Sequence, residues 1–296
     1  MAQSIRYFAA SGKARRRAVM DFKRIELIFL CTFLTLNIFL LYTFFQGKNE
    51  SVSSNGINNM QNIEARLSEE KIKFDHTFSK ESGEAYYLSA TPTDFYELDS
   101  VLASGVKLVE RQVISKDISA RQTVIFDEEH ATEEATHFIH KGNQVVFGDD
   151  YEYHGNLVAD KNSFYFSQEY KDIPFYDETS ALVLNVEAEE GGNYKLLDYT
   201  QTHLSNVEEL REKQSIITEH DAIVTLYLSN KIPSGSAIEK TALVYTRIYA
   251  VKEKHVYVPA WYVWVDTNGS NTSQLEKVNA FSNTIITTTV SDLKKE

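Results

Sequence analysis

Cysteine is almost missing from this chain. The single residue, Cys31, stands inside an apolar run, so the rest of the protein has no disulfide and must be held by its core. Proline and glycine are scarce, at 4 and 12 of 296 residues, which excludes collagen-like and low-complexity architectures. Positive charge is also short: 30 Lys and Arg face 42 Asp and Glu. Residues 1–46 hold seven of the basic groups and two of the acidic ones, leaving residues 47–296 with a balance of -17. An acidic body of this kind repels phosphate polymers, so nucleic acid is not an expected partner. What is present is globular: 43% hydrophobic and 24% charged residues supply both a core and a solvated surface. The length allows two domains or one large one.

One long hydrophobic run dominates. Leu27 to Phe45 carries no charge, and a helix of that length rises roughly 28 Å, close to the hydrocarbon thickness of a bilayer. The run is longer than the apolar region of a cleaved signal peptide and lacks small residues at its end, so it reads as an uncleaved signal anchor. A transmembrane helix is expected over 25–45, with a cytoplasmic segment over 1–24. Basic residues precede the span, which puts the N-terminus in the cytoplasm and the body outside the cell membrane in a single pass. A start at Met20 would leave Lys23 and Arg24 against Asp21 and Glu26, and the charge argument for orientation would nearly vanish. Asn37 is the strongly polar residue of the span. It marks a face with Leu30, Phe33, Leu34, Leu41 and Phe44, expected to meet another helix.

Beyond the span, residues 46–59 read as a flexible tether, and 60–72 as a short amphipathic helix. Thr91-Pro92 predicts a helix start, with Phe95, Leu98, Val101 and Leu102 continuing it to Gly105. A second helix is expected from Thr132 to Ile139. A third carries Ala222, Ile223, Leu226 and Tyr227 behind the capping box Thr218-x-x-Asp221. Residues 144–170 alternate aromatic and β-branched residues between turns, Gly191-Gly192-Asn193 signals a hairpin, and three strands close the chain around 242–251, 256–266 and 275–280. The expected fold class is α+β: the N-terminal transmembrane helix followed by two antiparallel-sheet-plus-helix units, over 60–172 and 173–296.

Chemistry-bearing patterns are weak. His137 and His140 share a helix face near His130, but a zinc site needs a third ligand and no His-Glu-x-x-His motif occurs. Asp266 to Asn271 begins like a calcium loop, then fails where Gly is needed at Asn271 and Glu at Lys277. Ser11-Gly12-Lys13 lacks the upstream glycine of a phosphate loop, and the body has neither cysteine nor a Gly-x-Ser-x-Gly turn to supply a nucleophile. Neighbouring carboxylates such as Asp149 and Asp150 read as solvated charge. Asn49, Asn268 and Asn271 head glycosylation tripeptides that arise often by chance. No catalytic residue, cofactor or metal is assigned, and the chain reads as a non-enzyme. The run Val256 to Asp266 is apolar on both faces, which reads either as a strand covered on both sides or, through Tyr257, Pro259 and Trp261, as an extracytoplasmic partner patch.

Taken in order, MDFKRIELIFLCTFLTLNIFLLYTF from Met20, Ile63-Glu64-Ala65-Arg66-Leu67, Tyr86-Tyr87-Leu88-Ser89-Ala90, Ile173-Pro174-Phe175-Tyr176, Asp221-Ala222-Ile223, Val258-Pro259-Ala260-Trp261 and Val278-Asn279-Ala280 resemble the bacterial YycI (WalI) family. The resemblance covers about Met20 to Thr287 and departs at Phe281-Ser282-Asn283, where a glycine is expected in the closing turn. Asn283 also tolerates a positive φ. Nothing before Met20 matches, which makes Met20 the expected initiator and 1–19 a misplaced start. The resemblance implies a regulator that contacts a sensor histidine kinase of the WalK/YycG type, together with a YycH-type companion, in the membrane of a low-GC Gram-positive bacterium and in the service of cell-wall metabolism. The rival expectations are a membrane-anchored surface hydrolase and a module binding a wall fragment or lipid.

Overall fold

The computed structural model describes residues 22–50, 63–98, 102, 104–118, 122–142, 144–158, 162–251, 253–267 and 273–287. Two compact units result, 1–58 and 59–296. The first contains α1 (Phe22–Glu50), whose segment Ile25–Tyr42 is long and apolar enough to cross a membrane. The helix continues through 46–50, where the sequence suggests a tether, while residues 51–62 and the proposed start at Met20 lie outside the described residues.

The second unit opens with α2 (Ile63–Glu69), β1 (Glu84–Ala85) and β2 (Leu88–Pro92). There follow β3 (Val106–Glu110), β4 (Val113–Asp117), β5 (Ile125–Phe126), α3 (Ala131–His140), β6 (Glu152–Tyr153) and β7 (Ser163–Ser167). Next come β8 (Glu169–Tyr170), β9 (Ile173–Pro174), β10 (Ala181–Ala188), β11 (Tyr194–Gln201), β12 (Leu204–Glu209) and β13 (Gln214–Ser215). The unit closes with α4 (Glu219–Leu228), β14 (Ala237–Val251), β15 (Lys254–Asp266), β16 (Ser273–Asn279) and β17 (Thr284–Ile285). Sheet one has the order β3-β4-β11-β10-β7-β6, with β5 beside β11; sheet two has β12-β2-β15-β16-β17, with β14 beside β15. All the strand pairings within these sheets are antiparallel.

Strand alternation sends the core in two directions at once. On β10, Leu182, Leu184 and Val186 pack with Ala135, Phe138 and Ile139 of α3, whereas Ala181 and Val183 turn the other way, toward Tyr262 and Trp264 of β15. On β15 in turn, Val263 and Val265 face Ala222, Ile223 and Leu226 of α4 and Ile63 and Leu67 of α2. The body is thus layered helix, sheet, sheet, helix, and the apolar run of β15 is covered on both faces. Each fully buried side chain of this kind contributes roughly 1.5–3 kcal/mol.

Local signals placed three helices correctly. The capping box at α4 is present: Thr218 Oγ1 accepts from Asp221 N (3.1 Å), and Asp221 Oδ2 accepts from Thr218 N (3.2 Å). The helix expected from Thr91-Pro92 is not formed. Thr91 and Pro92 end β2 instead, paired with Ser205 and Leu204 of β12 while Leu88 to Ala90 pair with β15, and Phe95 to Leu98 form turns. Sheet pairing on both sides of β2 outweighs a local helix start. Residues 172 and 173, the expected boundary between the two units, sit in the β8–β9 hairpin, whose turn places Lys171 and Asp172 at φ +51° and +65°. Sheet one draws strands from both sides of that point, and so does sheet two. Asn283 takes φ +52°, so the closing turn forms without glycine.

Candidate functional site

Between Gln201 and Leu204 the chain leaves sheet one and enters sheet two. Backbone partners cover part of the crossing, with Thr202 N donating to the Ala181 carbonyl (2.8 Å), and side chains satisfy the rest. Gln168 does this at Leu204, donating from Nε2 to the carbonyl (2.9 Å) and accepting from the amide (2.6 Å). Tyr151 donates its buried hydroxyl to the Thr202 carbonyl.

His203 sits at the centre of the crossing, 6% exposed. Its Nδ1 lies 2.7 Å from Thr93 Oγ1, just past β2, and its Nε2 lies 2.9 Å from Asp150 Oδ2, beyond α3. A carboxylate only accepts, so these partners assign the proton to Nε2 and leave Nδ1 to accept from the threonine. The Thr93 amide also donates to the His203 carbonyl (2.8 Å). Burial holds the His203 pKa below its usual value, with the Asp150 hydrogen bond opposing. One imidazole therefore ties sheet two to the segment between α3 and β6.

A cleft of about 850 Å³ opens at this tie. The Phe147 ring stacks on His203 at 4.4 Å and 19°, and Phe147 is held at φ +53°, an outlying conformation for so bulky a residue. Asp94 and Arg111 also line the cleft, joined through Nε at 2.9 Å, and Arg111 keeps the Asp94 carboxyl below its usual range. Glu97, Glu253, Gln112 and Asn206 complete the rim. Nothing local in the sequence marks this site: its residues come from five separate segments, and His203 stands alone between two strands.

The residues singled out from sequence are placed elsewhere. Tyr257 is fully buried with its hydroxyl 2.7 Å from Thr179 Oγ1, Pro259 is buried, and half-buried Trp261 donates Nε1 to the Ile217 carbonyl (2.9 Å). Of the two readings of this strand, the burial supports core packing. On α1, taken alone, Asn37 Nδ2 donates to the Phe33 carbonyl (2.8 Å), as Thr32 and Thr35 bond back to Ile28 and Cys31. One amide N–H is thus satisfied within the helix. Leu30, Phe33, Leu34 and Leu41 are exposed, and the Phe44 side chain lies outside the described residues. His140 Nε2 meets the Tyr151 carbonyl (3.2 Å). It is His130 that gathers acidic neighbours, with Asp127 and Glu129 on the exposed surface. Asn268 to Asn271, in the calcium-like stretch, lie outside the described residues.

A family model described as YycI protein matches residues 50–281, most of the chain. No curated protein matches it. A solved structure described as an uncharacterized protein from Eubacterium rectale ATCC 33656 is 12% identical, with 69% of this chain and 86% of that chain covered and a TM-score of 0.36.

Proposed function

The chain belongs to the YycI family, and from that premise we propose that it is a membrane-anchored, non-enzymatic regulator of a WalK/YycG-type sensor histidine kinase, acting with a YycH-type companion. The family itself implies a regulatory role in the WalK/YycG two-component system, and the match over 50–281 is the observation that carries the reading. The apolar helix Ile25–Tyr42 supports anchoring. Basic residues ahead of it support a cytoplasmic N-terminus and an extracytoplasmic body.

A regulator of this kind shifts a kinase only by binding its two conformations unequally, because an equal contact moves no population. Two surfaces supply such a contact in this reading. Within the bilayer it is the Asn37 face of α1, where one amide N–H and the amide carbonyl still want partners after the bond to Phe33. Outside, it is the body.

Copurification of the full chain from native membranes tests the proposal, and recovery of the kinase and companion is the expected result. Asn37→Leu should lower crosslinking to a partner helix and alter kinase output while leaving abundance intact. A full chain that recovers neither protein, with normal abundance and insertion, overturns the reading.

A further inference from the structure

We propose that the junction cleft binds an extended, cationic peptide segment of a partner, seating a lysine or arginine side chain on the Phe147 ring beside the Asp150 carboxylate. The inference stands on the body's own geometry and is independent of the regulatory reading.

Charge is the first argument. Among the described residues lining the cleft, Arg111 is the only cation, and Asp94 neutralises it. Glu97 acts on that same Arg111, and Asp150 and Glu253 meet no lysine or arginine among the described residues of the cleft, Asp150 accepting instead from His203 Nε2. Four carboxylates set against one guanidinium around one concavity focus a field that favours positive charge.

The aromatic floor is the second argument. Phe147 is 41% exposed, yet it is fixed: the ring rests on His203, which Thr93 and Asp150 hold in turn. A ring whose face is available beside a carboxylate is the combination that attracts an ammonium or guanidinium group, and a pre-positioned ring loses little freedom on binding.

Size and neutral polarity select a peptide over a small amine. The volume of about 850 Å³ is near the upper end for ligand sites and exceeds what one side chain fills. Gln112 and Asn206 line it with amide side chains suited to a peptide backbone, and at Asn206 the β2–β12 ladder is interrupted between Ser205 and Glu208.

The test uses the full chain in nanodiscs of zwitterionic lipid, which do not themselves attract basic probes. Pentalysine is titrated by calorimetry, with pentaglutamate and spermine as comparison arms. Pentalysine should bind, weaken as salt rises, and outcompete spermine, while pentaglutamate should not bind. Phe147→Leu, which keeps apolar bulk and loses the ring, should weaken binding about fivefold. The exposed double substitution Glu97→Gln with Glu253→Gln should weaken it about tenfold at low salt. Glu187→Gln with Glu190→Gln, far along the β10–β11 hairpin, should leave binding unchanged. Equal affinities in all three variants would overturn the proposal by showing diffuse surface charge. Absence of pentalysine binding would overturn it outright, and spermine binding as tightly as pentalysine would overturn the peptide assignment.

Discussion

Sheet one and sheet two carry one major helix each, but they are closed in different ways. In sheet one the central strands β10 and β11 are joined by the short Glu189–Asn193 turn, and every strand comes from residues 106–201. In sheet two, β2 pairs with β12 and β15, so that Ala90 faces His255 far along the chain. Its outer helix is clasped the same way. Glu219 at the start of α4 accepts from the Ser79 amide (2.8 Å) and from His76 Nε2 (2.8 Å), both on the irregular strap after α2. The strap also bonds to β14, where Ile238 N donates to the Lys73 carbonyl (2.8 Å). The difference teaches where each half is vulnerable. Both sheets mix hairpins with distant pairings, β4 with β11 in one and β2 with β15 in the other, but among the described residues only sheet two has its outer helix clasped to a segment far away in the chain.

If the halves nonetheless form one cooperative body, equal core damage in either should be felt by both. Leu184 in sheet one and Leu226 in α4 are each fully buried. Truncation to alanine should cost about 3–4 kcal/mol in either case. Urea unfolding followed in parallel by circular dichroism and by the fluorescence of Trp261 and Trp264 should show coincident transitions for wild type and both variants. Separate transitions would break the body into two domains.

The clasp gives the next largest effect. Glu219→Ala leaves the Ser79 amide and the Thr241 and His76 side chains without their acceptor, a loss of about 2 kcal/mol. Hydrogen exchange should rise at the strap and α4 before it rises in sheet one. Uniform acceleration across the body would erase the contrast. Thr218→Ala removes the α4 cap alone and should cost about 1 kcal/mol, read from the urea midpoint.

The smallest effect is pH dependence, and the two ties should carry opposite signs. His76 is raised above 6.5, chiefly by its hydrogen bond to Asp75 and then by Glu219. Its contribution is complete below 6.5 and is lost as pH rises through the folded-state value. His203 is lowered below 6.5 by burial. Its contribution is complete above 6.5 and fades as pH falls toward the folded-state value. The summed contribution of these two ties should therefore peak near 6.5. Substituting His76→Gln should flatten the alkaline limb. His203→Gln should flatten the part of the acid limb just below 6.5, where half-buried His154 also contributes, while lowered carboxylates such as Glu219 shape the limb at lower pH. A profile whose alkaline limb survives His76→Gln would remove that tie from the comparison.

Some of this architecture was legible along the chain because the physics involved is local. The charge-free run at α1, the capping box at Thr218, the left-handed Gly191-Gly192 turn and the two-face apolarity of β15 are each written within a few residues. Thr91-Pro92 misled because its helix-start chemistry is local while its fate is set by distant strands. The junction cleft left no trace at all, since Thr93, Arg111, Phe147, Asp150, His203 and Glu253 share no spacing.

The sequence by itself determined an apolar helix long enough to cross a membrane, an acidic body held without disulfides, and the helices and hairpins whose periodicity and turns are self-contained. Only the tertiary structure decided which strands share a sheet, that the two sheets stack with their helices outside, and that a buried histidine and an aromatic ring meet at the crossing. Pairing between distant strands depends on backbone hydrogen bonds that every residue but proline can donate, and on side-chain fit across the layers. Neither leaves a periodic mark in the order of the residues.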